Sequence, residues 1–299
     1  MELGQLVVAP LNPRVHTHTL IFLHGRGDTS ANMTDSLLRW TRNSRRRSLV
    51  DVFPTVRWVF PQAEPRLIQK EGHTWPQWFD IWNILDMSDS EELQAPGLRD
   101  SVASVRRIVR AEARKVGGLH RVILAGISQG GATAAHALLH LGEVAAENAP
   151  PEKLLEPRDV TDLDEPPPPA RLCALMCFSC WLPFPGGSLD ETREVIGLGS
   201  DNDDEEVEEE DEIVREKGDE IVRHTPVFLG HCNDDPLVFP EYGRQLRDEL
   251  RGFGMTVDWN EYPEGGHWLN APQGVDDVVE FLKARGIPAV EEGETQPLY

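Results

Sequence analysis

The sequence has 299 residues, of which 39% are hydrophobic and 27% charged, and its formal net charge is −22 at pH 7. This composition suits one large packed domain. The negative charge argues against nucleic acid and anionic membranes as partners, because like charges repel. No apolar run approaches the roughly 18 residues that a transmembrane helix needs, and residues 1–13 lack the features of a secretory signal peptide.

Apolar runs and segments of helical periodicity alternate along the chain. In chain order, the predicted elements are a strand at 19–23, a helix from Ser30 or Asn32 towards Arg45, a strand at 56–60, a helix at 97–116, a strand at 121–125, a helix at 129–141, strands at 172–178 and 227–229, a helix at 242–253, a strand at 256–262 and a helix at 275–285. This alternation predicts an α/β fold with a mostly parallel central sheet and helices on both faces.

Two segments depart from this alternation. Residues 143–169 are rich in Glu, Asp and Pro, and residues 186–223 include a run, 201–212, in which ten of the twelve residues are acidic. Neither segment has enough apolar residues to offset the entropy lost on ordering. We therefore predict loop or disordered insertions at 143–169 and 186–223 within a single domain over residues 1–289, followed by a flexible polar tail at 290–299.

Cysteine and histidine pairs provide two possible metal sites, both of which have a simpler interpretation. Cys177 and Cys180 form a CxxC, but the chain has no second pair to complete a zinc site, so we predict buried strand residues and a reducing, cytoplasmic compartment. His136 and His140 are four residues apart, as metal ligands on a helix can be, but no His-Glu-x-x-His is present. We predict a helix surface there, and no metal or cofactor.

The strongest chemical signal is the pentapeptide Gly-Ile-Ser-Gln-Gly at residues 126–130. It has the form G-x-S-x-G, the nucleophile elbow, and it lies between a predicted strand and an alanine-rich predicted helix. Glycines on both sides let the strand and the helix approach closely, and the helix N-terminus directs N–H groups at a developing negative charge. The pattern therefore predicts Ser128 as a nucleophile.

A serine nucleophile needs a base and an acid that orients the base. His267 follows a predicted strand and precedes the last helix, the place of the histidine in the chain order Ser, Asp, His. Asp235 follows the strand at 227–229 and is predicted to be the acid. His231 remains an alternative base and Asp234 an alternative acid. His24, directly after the first strand, is predicted to shape the oxyanion loop.

Five motifs, in the family's order, resemble those of the acyl-protein thioesterase branch of the phospholipase/carboxylesterase family. They are F-L-H-G-R-G-D at 22–28, P-Q-W-F-D at 76–80, G-I-S-Q-G-G at 126–131, S-C-W-L-P at 179–183 and D-P-L-V at 235–238. The resemblance covers the chain from about residue 20 to 282. It implies an α/β-hydrolase fold and cytosolic enzymes that cleave esters or thioesters of acyl chains without a cofactor.

The resemblance also implies roles for particular residues. Ser128, Asp235 and His267 would form the catalytic triad, and the backbone N–H groups of Arg26 and Gln129 would form the oxyanion hole. The sequence departs from the family where arginine, at position 26, replaces a residue that is usually apolar. It departs again at residues 231–233, where His-Cys-Asn replaces His-Gly-Asp.

Several large apolar residues lie close in sequence to these motifs. We expect Trp78, Trp181, Trp268 and Leu237 to contact the substrate, although packing in the core is the alternative for the tryptophans. The expected substrate is an acyl ester or thioester, carried by a protein or a small molecule. Amide, lactone or lysophospholipid hydrolysis by the same triad is the alternative chemistry, and a non-catalytic interaction protein is the alternative class.

Overall fold

Strands and helices alternate in the computed structural model, which describes residues 3–11, 15–142, 170–198 and 218–290. The strands are β1 (Gln5–Val8), β2 (His18–Leu23), β3 (Val56–Pro61), β4 (Pro65–Ile68), β5 (His73–Pro76), β6 (Val122–Ile127), β7 (Ala174–Phe178), β8 (Val227–Cys232) and β9 (Val257–Tyr262). The helices are α1 (Ser30–Asp35), α2 (Leu49–Val52), α3 (Gln94–Val116), α4 (Gln129–Leu139), α5 (Leu189–Glu194), α6 (described over 218–224), α7 (Pro240–Gly252) and α8 (Gln273–Lys283), with a π-helical turn at Ser36–Trp40 and 3-10 turns at Glu91–Leu93 and Leu119–Arg121.

Seven strands form the central sheet, in the order β1-β3-β2-β6-β7-β8-β9. β1 pairs antiparallel with β3 at one edge, and every other pairing in this sheet is parallel. β4 and β5 form a separate antiparallel hairpin. Because the inner strands are parallel, the loops that follow β2, β6, β7, β8 and β9 all emerge at the same edge of the sheet.

Both faces of the sheet are covered by helices. In β2, Ile21 and Leu23 belong to one buried apolar cluster, while Leu20 and Phe22 belong to the other. The first cluster includes residues of α3 to α7, and the second includes residues of α1, α2 and α8. Strands buried on both sides have apolar residues at successive positions instead of at alternate ones. This arrangement confirms the predicted α/β class with a mostly parallel sheet.

Local structure differs from the sequence prediction in three places. The helix predicted to run towards Arg45 ends earlier, because the π-helical turn after α1 closes with a hydrogen bond from Thr41 N–H to Ser36 O at 3.0 Å and Thr41 is extended. β1 and the β4–β5 hairpin had no clear sequence signal. The predicted insertion at 186–223 contains α5 and part of α6, while residues 143–169, 199–217 and 291–299 lie outside the described residues.

The two histidines of α4 are buried, which contradicts the predicted helix surface. His136 and His140 both have an exposed fraction of 0%, because α4 packs against both the sheet and α3. The His136 Nε2 atom is 2.7 Å from Pro183 O, and the His140 Nδ1 atom is 2.8 Å from His136 O. Within the described ranges, no group of three or more His, Cys, Asp or Glu side chains could hold a metal ion, and all four cysteines are buried and unpaired.

Helix α4 approaches the sheet so closely that only glycine fits at two positions. A Cβ atom on Gly126 would lie 2.4 Å from the carbonyl carbon of Gly130. A Cβ atom on Gly130 would lie 2.4 Å from the carbonyl oxygen of Leu23 in β2. Backbone atoms cannot rotate away as a side chain can, so this contact fixes the depth at which the helix N-terminus sits against the sheet.

Replacement of Gly130 by alanine should therefore be strongly destabilising. We expect Gly130→Ala to lower the free energy of unfolding by at least about 2 kcal/mol, because overpacking against backbone can be relieved only by moving the helix. Gly252→Ala in α7 is the control, since a Cβ atom there would meet nothing within 4 Å. Urea unfolding compares the two, and equal stabilities for the two variants would contradict the assigned contact.

The buried histidines predict a loss of stability in acid. Burial lowers the pKa of His136 to about 4, and burial together with the neighbouring His136 lowers the pKa of His140 to about 3. An unfolded histidine binds its proton near pH 6.5. The free energy of unfolding should therefore fall as the pH drops from about 6.5 to 4, by at most about 1.4 kcal/mol per pH unit for each histidine.

Urea unfolding of the parent and of His140→Gln at several pH values tests this expectation. The variant should show a shallower fall of stability over that pH range, because one proton-binding group of the unfolded state has been removed. Parallel profiles for the two proteins would show that His140 does not contribute to the pH dependence.

Candidate active site

Ser128 occupies the turn between β6 and α4 with a left-handed backbone, at φ 54° and ψ −128°. A residue other than glycine rarely adopts a positive φ, and such strain persists only where the surrounding structure enforces it. Here the Ser128 N–H donates to Phe178 O at 2.9 Å, which ties the turn to the neighbouring strand β7. The Ser128 hydroxyl has no hydrogen-bond partner among the described residues, and Ser128 lines a cleft.

The loop after β2 is anchored on the segment that follows the β4–β5 hairpin. The Gly27 N–H donates to Pro76 O at 2.8 Å, and the Trp78 Nε1–H donates to His24 O at 2.8 Å. Trp78 is fully buried beneath the loop. These two bonds hold the backbone on both sides of Arg26, so the position of the Arg26 N–H is set by β5 as well as by β2.

His24 shapes this loop instead of facing the cleft. Its Nδ1–H donates to Gly25 O at 2.7 Å, and its Nε2 accepts the Ala63 N–H at 3.1 Å. The side chain has an exposed fraction of 0%, and burial lowers its pKa, which favours the neutral ring. With both ring nitrogens bound to backbone groups, His24 cannot accept a proton from a substrate.

Gln129 begins helix α4 directly after Ser128. The first N–H groups of a helix have no intrahelical acceptor, and the Gln129 N–H is the first of them. Its buried side chain accepts the Trp78 N–H at 2.8 Å and donates to Phe79 O at 2.6 Å. The Arg26 N–H has no acceptor among the described residues. Two backbone N–H groups are thus available beside the elbow.

Asp235 follows β8 and is buried with its carboxylate fully engaged. Its Oδ1 accepts the Leu237 and Val238 N–H groups at 2.9 and 3.0 Å. Its Oδ2 lies 2.8 Å from His267 Nδ1. Burial alone would raise the pKa of Asp235, but hydrogen bonds from His231 and His267 hold it well below its usual range. The carboxylate is therefore ionised at neutral pH.

His267 lies in the loop after β9, and its orientation is fixed by Asp235. With Nδ1 directed at the carboxylate, its Nε2 is the nitrogen left for the cleft, which His267 lines together with Ser128. Asp234, the alternative acid, makes a different contact. It accepts the Gly265 and Gly266 N–H groups at 3.2 and 2.8 Å and so holds the backbone of the histidine loop.

His231, the alternative base, lies behind Asp235 and is not a lining residue of the cleft. Its Nε2–H donates to Val238 O at 2.8 Å, and the same atom lies 3.4 Å from Asp235 Oδ2. The side chain has an exposed fraction of 1%, and it packs so closely on α7 that a Cβ atom at Gly243 would lie 2.4 Å from its Nδ1. His231 thus secures the loop that carries Asp235.

The cleft has a volume of about 300 Å³, and most of its lining side chains are apolar. Its lining residues are Gly25, Arg26, Asp28, Met33, Trp75, Ile81, Ile84, Met87, Ile127, Ser128, Trp181, Leu237, Val238, His267 and Trp268. Three of the expected substrate contacts, Trp181, Trp268 and Leu237, are among them. Trp78 is not, because it is fully buried beneath the loop after β2, where it packs in the core instead of contacting the cleft.

Other lining residues had weak sequence signals or none. Trp75 and Ile81 flank the P-Q-W-F-D motif, so their proximity to the site could have been inferred from that motif. Met33, Ile84 and Met87 come from segments that carried no motif. They reach the cleft only because α1 and the loop after β5 fold over the carboxyl edge of the sheet.

Comparisons with known proteins agree on one family and one fold. Residues 5–146 match the family model described as Phospholipase/Carboxylesterase. Acyl-protein thioesterase 1 of Mycosarcoma maydis is 28% identical over 300 aligned residues, covering 96% of this chain and 98% of the relative. The protein of that name from Cryptococcus neoformans is 23% identical, covering 94% and 97%.

Solved structures show the same fold. The crystal structure of Zea mays acyl-protein thioesterase 2 aligns with a TM-score of 0.63 at 21% identity, covering 94% of this chain and 98% of that one. The Bacillus cereus carboxylesterase aligns with a TM-score of 0.52 at 12% identity, covering 95% and 94%. The mostly parallel sheet with helices on both faces is thus the α/β-hydrolase fold.

The contacts of His231 predict a measurable contribution to stability. His231→Ala leaves the buried Val238 carbonyl without its donor and opens a cavity next to α7, so we expect the free energy of unfolding to fall by about 1–3 kcal/mol. His224→Ala is the matched control, because His224 is exposed. Urea unfolding measures both, and a loss for His231→Ala no larger than that of the control would contradict this contact.

Proposed function

We infer that the chain belongs to the phospholipase/carboxylesterase family and is a carboxylic ester or thioester hydrolase. From this premise we propose that it cleaves acyl esters or thioesters through an acyl-enzyme formed on Ser128, with His267 as the general base and Asp235 as the acid that orients it. Relatives named acyl-protein thioesterase 1 support a thioester substrate, carried by a protein or a small molecule.

One observation carries the proposal. His267, held by Asp235 at 2.8 Å, lines the same cleft as Ser128, which lies in a strained turn. A buried carboxylate fixes the histidine tautomer with its proton on Nδ1, which leaves Nε2 as the base. No hydrogen bond joins Ser128 and His267 within the described residues. In unliganded enzymes such contacts are often long and shorten when substrate binds.

In the proposed first step, His267 Nε2 takes the Ser128 proton as the hydroxyl oxygen attacks the acyl carbonyl. Asp235 stabilises the imidazolium that forms and remains ionised itself. The Arg26 and Gln129 N–H groups donate to the negative oxygen of the tetrahedral intermediate. Both donors are held by rigid contacts before the reaction, so little reorganisation accompanies the development of charge.

Collapse of the intermediate expels the thiol or alcohol, which receives the proton from His267. Water then attacks the acyl-Ser128 ester with His267 again acting as base, and the free acid leaves. Every step of this route is assigned to the side chains of Ser128, His267 and Asp235 and to two backbone N–H groups.

The dimensions of the cleft bear on the acyl group. At about 300 Å³ it lies at the small end of ligand pockets, and Trp181, Trp268 and Ile81 supply apolar walls. We therefore expect a short acyl chain to be bound within it. A cytoplasmic location is part of the proposal, and it is compatible with four unpaired, buried cysteines. Among the described residues no helix has the length and apolarity of a membrane span.

The triad assignment predicts severe losses of activity. Ser128→Ala should lower kcat for a short acyl thioester by about 10⁴-fold or more, and Asp235→Asn should lower it by about 10⁴-fold. His267→Ala should be as damaging as Ser128→Ala, because nucleophile and base act as a unit. Steady-state kinetics on the purified variants measure these losses, and a fluorophosphonate probe should label Ser128.

Two neighbouring positions supply matched controls. Ser179 also follows a central strand with a left-handed backbone, at φ 47°, yet it is not a lining residue of the cleft. Ser179→Ala should keep probe labelling, and Asp234→Asn should retain most of the activity, because its amide oxygen can still accept one of the two N–H groups of the histidine loop. More than a tenth of the parent activity in Ser128→Ala, or a probe mapped to another residue, would reject the assignment.

A further inference from the structure

Arg26 is the only arginine or lysine among the described residues that line the cleft. Its backbone N–H is a proposed oxyanion donor, so its side chain starts beside the reacting carbonyl. The residue is half-buried, and the rest of the lining is mostly apolar. A permanent charge that is half-buried among apolar side chains needs a partner, because burying an unpaired charge costs free energy.

The guanidinium of Arg26 has one acceptor and two uncommitted nitrogens. Its Nε–H donates to Gln77 Oε1 at 2.9 Å. Nη2 is buried without a partner, and Nη1 has no acceptor among the described residues either. A guanidinium carries five N–H donors in a planar fork that matches a carboxylate. Four of those donors therefore make no hydrogen bond to the described residues.

Three carboxylates, two that act on the charge of Arg26 and one that lines the same cleft, have other partners. Asp80 accepts the Gln69 N–H at 3.1 Å and the Ile81 N–H at 3.0 Å. Asp28, which lines the cleft, accepts the Thr29 N–H at 2.8 Å.

Glu71, the third of these carboxylates, also has another partner, because it lies 3.3 Å from the Nε2 atom of His73. Burial lowers the pKa of Arg26, while Glu71 and Asp80 oppose that shift, and an arginine remains charged in either case. The neighbourhood keeps the cation charged without occupying its terminal donors.

The side chain of Arg26 is also held in place. Gln77, which accepts its Nε–H, is fully buried and donates to Arg66 O and Leu67 O at 3.4 and 3.3 Å. The Trp75 ring centroid lies 5.8 Å from the Arg26 guanidinium carbon. A tethered cation loses less entropy on binding a ligand than a mobile surface arginine would.

We propose that Arg26 is a specificity-determining residue that selects substrates with a carboxylate a few carbon atoms from the scissile bond. The carboxylate would accept N–H groups from the terminal nitrogens of the guanidinium while the Arg26 backbone holds the oxyanion. This inference rests on the proposed function, since it concerns the same cleft and the same reaction. A solely structural role, in which Arg26 only ties the oxyanion loop to Gln77, is the competing account.

Two pairs of thioesters separate these accounts, one on each side of the scissile bond. On the acyl side, the succinyl thioester of N-acetylcysteamine is compared with the 4-methylpentanoyl thioester, its neutral isostere. On the thiol side, the butyryl thioester of 3-mercaptopropionate is compared with that of 3-methylbutanethiol. The measured quantity is the ratio of kcat/KM for the anionic member to that for the neutral member of each pair.

Arg26→Met removes the charge and the donors while keeping an unbranched side chain. We expect it to lower the ratio at least about ten-fold in one pair, as befits a lost charge-assisted hydrogen bond. Arg26→Lys keeps a cation: a ratio near the parent value would identify charge as the determinant, and a ratio near that of Arg26→Met would identify the guanidinium fork. Lys70→Met, which removes an exposed cation outside the cleft lining, should leave both ratios unchanged.

Equal ratios for the parent and Arg26→Met in both pairs would overturn the inference and favour the structural role. If Arg26→Met does not fold, the parent decides alone: a ratio of at least one in either pair supports the inference, and a ratio below one in both overturns it. Ser128→Ala must be inactive on all four thioesters. Ser128-dependent hydrolysis without anion selectivity would reject this inference alone, whereas activity that does not depend on Ser128 would reject the proposed function.

Discussion

The close approach of α4 to the sheet is the contact on which the rest of the site depends. Cβ atoms are absent at Gly126 and Gly130, so helix backbone can lie against strand backbone. Ser128, between them, is consequently held in a left-handed conformation that a freer turn would abandon. The same contact brings the first N–H groups of the helix to the edge of the sheet, where their partial positive charge can meet a developing oxyanion.

The parallel strands convert this single contact into a complete site. β2, β6, β8 and β9 all run in the same direction, so their following loops meet at one edge and deliver Arg26, Ser128, Asp235 and His267 to it. The loop that carries Asp235 is held by several contacts at once. Asp235 accepts two backbone N–H groups and binds His267, while His231 donates to Val238 O in the same loop. Rigid support of this kind keeps functional side chains in a reactive geometry.

The β4–β5 hairpin and the segment after it contact both the backbone of the loop after β2 and the side chain of Arg26. Gln77 binds the Arg26 side chain, and Trp78 binds the loop at His24. A single short segment therefore holds both the backbone beside the proposed oxyanion donor and the side chain of the one lysine or arginine found in the described lining of the cleft. With the two roles proposed for Arg26, a change in the hairpin would alter the rate and the substrate preference together.

The sequence by itself determined the α/β class, because strand and helix patterns alternate along the chain. It also determined the candidates for nucleophile, base and acid, because each lies in a short pattern that follows a predicted strand. It favoured Asp235 as the acid but left the adjacent Asp234 as an alternative. Only folding shows that Asp235 faces His267, while Asp234 accepts backbone N–H groups of the histidine loop. The burial of His136 and of Trp78, and the free donors of Arg26, were likewise decided by tertiary structure. Burial and hydrogen-bond partners depend on residues distant in sequence, which no local pattern encodes.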